Sequence, residues 1–63
     1  MEEVVIVYKD AKSATMYTDM NPDELLPLLN DCSFVKMFYF SDGVKRTTLL
    51  NASDVSSVDF ENY

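Results

Sequence analysis

A chain of 63 residues with one cysteine, no histidine and a formal charge of −6 makes one small domain, 1–63, burying roughly 60% of its unfolded surface. The composition excludes the usual staples of so short a chain: one cysteine closes no internal disulfide, and zinc lacks a ligand set. Eleven acidic residues against five basic ones repel nucleic acid and anionic lipid and favour basic or neutral partners.

No apolar run approaches the ~20 residues that span a bilayer, and "MEEVVIVYKD" carries acid where a signal peptide carries base. The expectation is a soluble, cytoplasmic protein with no membrane contact. Residues 4–9, "VVIVYK", are rich in β-branched side chains and too short for an amphipathic helix, which predicts a strand. "SATMYTDM", 13–20, alternates Ala14, Met16, Thr18 and Met20 against Thr15, Tyr17 and Asp19, a second strand. Asp10 to Lys12 are polar or small and fit a hairpin turn between them.

"NPDELLPLLNDC", 21–32, reads as a helix with a proline in its middle. Asn21 is a good cap, Pro22 suits the first helical position, and Asp23 and Glu24 place acid at the positive end of the dipole. Glu24 sits three after the cap, where its side chain can reach back. Leu25, Leu28, Leu29 and Cys32 follow the i, i+3, i+4, i+7 rule, so the stripe they form should lie on a sheet. Pro27 lies about 200° around the helix from Leu25 and faces solvent, where the carbonyl freed by its missing N–H can tilt toward water. Leu26, flanking the stripe, should stay partly exposed.

"SFVKMFYF", 33–40, is a third strand, and a fourth runs from Val44 to about Leu50. Asp42-Gly43 between them is the pair preferred where both central turn residues need positive φ. A two-residue loop there sets the register: Phe40 opposite Lys45, Phe38 opposite Thr47 and Lys36 opposite Leu49 on one side. Tyr39 and Arg46, Met37 and Thr48, and Val35 and Leu50 share the other. In the tail, Ser53 offers a cap for one helical turn through Ser56, followed by a short edge strand at Val58-Asp59-Phe60. The fold class is therefore α+β: a four- to five-stranded antiparallel sheet with one helix packed on one face, ββαββ with an optional short fifth strand.

Catalysis finds little support in these residue types. There is no histidine, a single glycine, and no serine or cysteine beside a plausible base. Cys32, on the apolar stripe at a helix C-terminus, reads as a buried packing residue rather than a nucleophile. "DGVKR" and "NASDVSSVD" lack the spacing of a calcium loop. No metal, cofactor or small-molecule substrate is expected, and the reading is a non-enzymatic chain.

What the sequence has in excess is apolar surface. Val4, Ile6 and Tyr8 oppose Val5 and Val7 on the first strand, and Val35, Met37 and Tyr39 oppose Phe34, Phe38 and Phe40 on the third. One helix covers only one face of an antiparallel sheet, so two apolar faces imply a second cover. Val35, Met37 and Leu50 are assigned to the helix side, because the other side carries Lys36 and Lys45. The C-terminal Val58, Phe60 and Tyr63 offer partial cover, and a second copy or another protein offers the rest.

The leading expectation is thus a small acidic protein-interaction module, a homodimer, of the kind found among accessory proteins of mobile elements. Val5, Val7, Tyr17, Phe38 and Phe40 are its candidate contact residues. A second reading is an acidic inhibitor that imitates nucleic acid before a DNA- or RNA-handling enzyme, using Asp19, Asp23, Glu24 and Asp31 around the helix. A third, less favoured because of the net charge, is nucleic-acid binding through the Lys36, Phe38, Phe40 and Lys45 face.

Overall fold

The computed structural model describes residues 1–63 as an α+β domain of five antiparallel strands and one α-helix. The strands are β1 (Glu2–Tyr8), β2 (Ser13–Thr18), β3 (Phe34–Ser41), β4 (Val44–Asn51) and β5 (Val55–Phe60); α1 spans Pro22–Asp31. Their order across the sheet is β4-β3-β2-β1-β5, which puts β2 in the middle. Helix α1 is too short to cross a membrane.

The β3–β4 hairpin has the register that its turn dictates, with Phe40 opposite Lys45, Met37 opposite Thr48 and Val35 opposite Leu50. Asp42 (φ 52) and Gly43 (φ 77) are both left-handed, which matches the right-handed twist of the two strands. The β1–β2 connection is less regular. Strand β1 ends at Tyr8, and the four residues after it close with the Tyr8 N–H donating to the Lys12 carbonyl at 2.8 Å. Ala11 sits there at φ 73, a conformation that carries a steric cost for any residue with a Cβ.

Helix α1 begins as its sequence specifies. The Glu24 N–H donates to Asn21 Oδ1 at 2.8 Å, and the Asn21 N–H donates to Glu24 Oε1 at 3.1 Å, a reciprocal capping box. Leu25 is buried, Leu28 and Leu29 are half-buried, and Pro27 and Leu26 face solvent. The helix ends one residue before the stripe does. Cys32 is extended (φ −109, ψ 146) as the chain turns toward β3, and its thiol is exposed, so the expected buried packing role is incorrect.

The core lies between α1 and one sheet face, where Val4, Ile6, Leu25, Val35, Met37 and Leu50 are each at most 5% exposed. Thr18 is the one buried polar residue, and its hydroxyl accepts from the Met20 N–H at 3.2 Å, which ends β2 at Thr18 rather than Met20. The tail differs most from expectation. Asn51, not Ser53, caps a short 3₁₀ turn over Ala52–Asp54, and β5 begins at Val55 instead of Val58. A register shift beside Val7 and Tyr8 inserts Ser56 as a bulge, which turns Val55 inward toward the core with Val58 and Phe60. β5 therefore extends the sheet beside β1 and leaves the face opposite the helix uncovered.

The accessible surface is 4253 Å², close to the roughly 4100 Å² expected of a compact 7.2 kDa monomer.

Candidate interaction surface

The face opposite α1 is built by alternation. Glu3, Val5 and Val7 on β1 lie opposite to Val4 and Ile6; Tyr17 pairs with Glu3 on one side and with Phe38 on the other. Glu3, Tyr17, Phe38 and Thr47 consequently form one row across four strands. Val5, Val7, Tyr17, Phe38 and Phe40, the five apolar contact candidates, all share this face. Phe34, Phe40 and Leu49, on β3 and β4, are 57%, 48% and 66% exposed.

Tyr17 stands at the centre. Its ring meets Phe40 edge to face, with centroids 5.2 Å apart and planes at 82°. Its hydroxyl donates to Glu3 Oε1 at 3.2 Å. That hydrogen bond holds the phenol protonated and raises its pKa above the ordinary 10.0, with repulsion from the Glu3 carboxylate next, then desolvation and Glu61.

Phe38 is only 8% exposed although no backbone element covers it. Two lysines do so. The Lys45 ammonium stands 4.1 Å and the Lys36 ammonium 5.8 Å from its ring centroid, so both stems lie along apolar surface and both charges gather over one ring. The face is divided electrically as a result: Lys36 and Lys45 on the β3–β4 half, Glu3 and Asp59 on the β1–β5 half. Sequence reasoning found the shared face but not this cover, because strand register fixes Cβ directions and leaves lysine rotamers free.

The acidic candidates lie elsewhere. Asp19 is exposed between β2 and α1, Asp23 is exposed in the first helical turn, and Asp31 is exposed at the last. The Glu24 carboxylate is committed to the cap of α1. From Asp23 to Asp31 the helix rises about 12 Å, so these groups line an edge of the helical layer rather than one focus. No three His, Cys, Asp or Glu side chains converge to hold a metal ion. On the helix side, a groove of about 330 Å³ runs between α1 and β5, lined by Leu25, Leu26, Leu29, Val58 and Phe60 with Pro22 and Asp23 at the helix start. A mixed polar and apolar depression of about 530 Å³ lies past the helix C-terminus beside Cys32 and Asn51.

Comparison with protein-family models, with curated proteins and with solved structures finds no match for this chain.

Proposed function

We propose that this chain is a non-enzymatic protein-interaction module whose working surface is the sheet face opposite α1. The observation that carries the reading is the exposure of Phe34, Phe40 and Leu49 together on a face with no covering element, next to two lysines held over Phe38. Apolar side chains gathered this way, with charge at their rim, are the composition of a protein contact surface. The same geometry counts against base stacking on Phe38, which is 8% exposed with the Lys45 ammonium over its ring.

A photoreactive phenylalanine analogue at position 40, compared with one at position 27 on the solvent side of α1, tests the reading. Cross-links to protein from position 40 and none from position 27 support it. Equal yields from both positions, or none from either, overturn it.

The nucleic-acid-mimic reading keeps one observation in its favour: α1 carries acid in its first turn and no base in its last, with Asp23 and Asp31 exposed on it and Asp19 exposed just before it. Charge-driven docking of that kind weakens steeply between 0.1 M and 1 M salt, as the screening length falls from about 10 Å to about 3 Å. Changing Asp19, Asp23, Glu24 and Asp31 to their amides should abolish it.

A further inference from the structure

The occupant of an open sheet face is identified by what complements it, and here the complement is present on the same face. We propose that a second copy of this chain stacks on the face opposite α1 about a two-fold axis that runs along β2 through Tyr17. The inference rests on the interaction reading above and specifies its partner.

The strand order makes the geometry definite. With β2 in the middle of β4-β3-β2-β1-β5, a two-fold axis along β2 carries β3 and β4 of one copy over β1 and β5 of the other. Glu3 and Phe38 flank Tyr17 at the same level, one on each side. The rotation therefore brings the two ammonium groups gathered over Phe38 against the partner's Glu3, and the exposed Phe40 against the partner's Val5. Tyr17 meets the partner's Tyr17 on the axis. Opposite charges face each other twice, once for each copy, as an isologous contact requires.

The alternative two-fold axis in the plane of the face, running across the strands, stacks each strand on its own copy. Lys36 and Lys45 would then oppose Lys36 and Lys45, and Glu3 would oppose Glu3. Like charges brought together at a desolvating contact oppose association, so charge selects the axis along β2. The inherent twist of each sheet rotates stacked strands by about 30° and leaves the residues around the crossing point in closest contact, which are Tyr17, Phe38 and Glu3.

Size sets the strength. Five strands about 4.8 Å apart and six residues long offer a face of about 24 Å by about 20 Å, or about 1000 Å² buried in total. That is the low end for specific complexes and implies an equilibrium between monomer and dimer rather than an obligate pair. It agrees with a monomer surface that is already compact.

The test is sedimentation equilibrium of the whole chain from about 1 µM to about 500 µM, with fold checked by circular dichroism. The unmodified chain should pass from the mass of one chain to that of two. E3K alone and K36E/K45E alone should each remain monomeric, because each sets like charges face to face. Their 1:1 mixture should dimerise, since one opposed set then keeps its original signs and the other is restored with its signs exchanged. D31K, which changes net charge as E3K does but lies at the end of α1, should dimerise by itself like the unmodified chain. Phe40→Ser, at an exposed position, should weaken association of the unmodified chain at least about tenfold, and it keeps the test intact should the lysine double variant fail to fold. A chain that stays monomeric at the highest concentration, a mixture no more associated than its parts, or a D31K that is monomeric as E3K is overturns the proposal. If the chain stays monomeric while position 40 still cross-links to a different protein, the self-pairing falls and the interaction reading stands.

Discussion

The Lys45 ammonium lies 4.1 Å from the centre of the Phe38 ring and, with Lys36, encloses a phenylalanine on the side of the sheet that has no second layer. The lysine stems do there what a helix does on the other face. Phe38→Ala should cost about 3 kcal/mol in urea denaturation of dilute protein, as for a buried aromatic. Lys45→Met, which keeps the stem and removes the charge, should cost less than about 1 kcal/mol. Equal losses from the two would mean that charge, not cover, holds this side together.

The helix contacts predict an ordered series. Leu25→Ala should cost about 2 to 5 kcal/mol, since its side chain is 1% exposed and its truncation leaves a cavity. Leu26→Ser and Pro27→Ala, both exposed, should change stability by less than about 0.5 kcal/mol or, for Pro27, raise it. Denaturation midpoints of the three variants check the order.

Removing the cap with Asn21→Ala should cost about 1 kcal/mol, and Glu24→Ala added to it should cost less than the sum of the separate changes, because each serves the same box. A double-mutant cycle reads that coupling directly.

Ala11 offers a change of opposite sign. Its left-handed backbone (φ 73) carries a strain of about 1 kcal/mol that glycine does not. Ala11→Gly should therefore leave stability unchanged or raise it, against the usual effect of a new glycine, as thermal unfolding will show.

Tyr17 sets a pH dependence. Its pKa is raised in the folded chain, so the stabilisation from its hydrogen bond to Glu3 is complete below the unfolded phenol value near 10.0 and is lost as pH climbs through the folded one. Ultraviolet titration should show a late phenolate step that disappears in Tyr17→Phe and moves down toward pH 10.0 in Glu3→Gln.

Much of the fold was legible because local chemistry decided it. Asp42-Gly43 fixed the hairpin register, Asn21 through Glu24 fixed the helix start, and the lysines on one side of β3 and β4 identified the face away from α1. The parts that were not legible depend on distant contacts. Cys32 continues the apolar stripe on paper, but the chain must leave the helix to enter β3, and that turn takes the thiol into solvent. Val55 alternates out of phase with Val58, and only a bulge against β1, invisible in a single strand, returns it to the core. The candidate surface was legible as a set of residues on alternating positions. The row that joins Glu3, Tyr17 and Phe38 was not, since it spans a pairing of β2 with β3 separated by the whole of α1.

The two outer strands carry a further consequence for how the protein fails. β4 bears Lys45 and Arg46 and no acid, whereas β5 bears Asp59 and no base. Pairing either edge with its own kind sets like charges side by side, a safeguard against lateral growth. The one permitted edge contact is β4 of one molecule with β5 of the next, a head-to-tail contact that propagates wherever its rotation does not close a ring. A concentrated, salt-poor solution of this chain should therefore tend toward ribbons rather than amorphous precipitate, with a positive edge free at one end and a negative edge at the other.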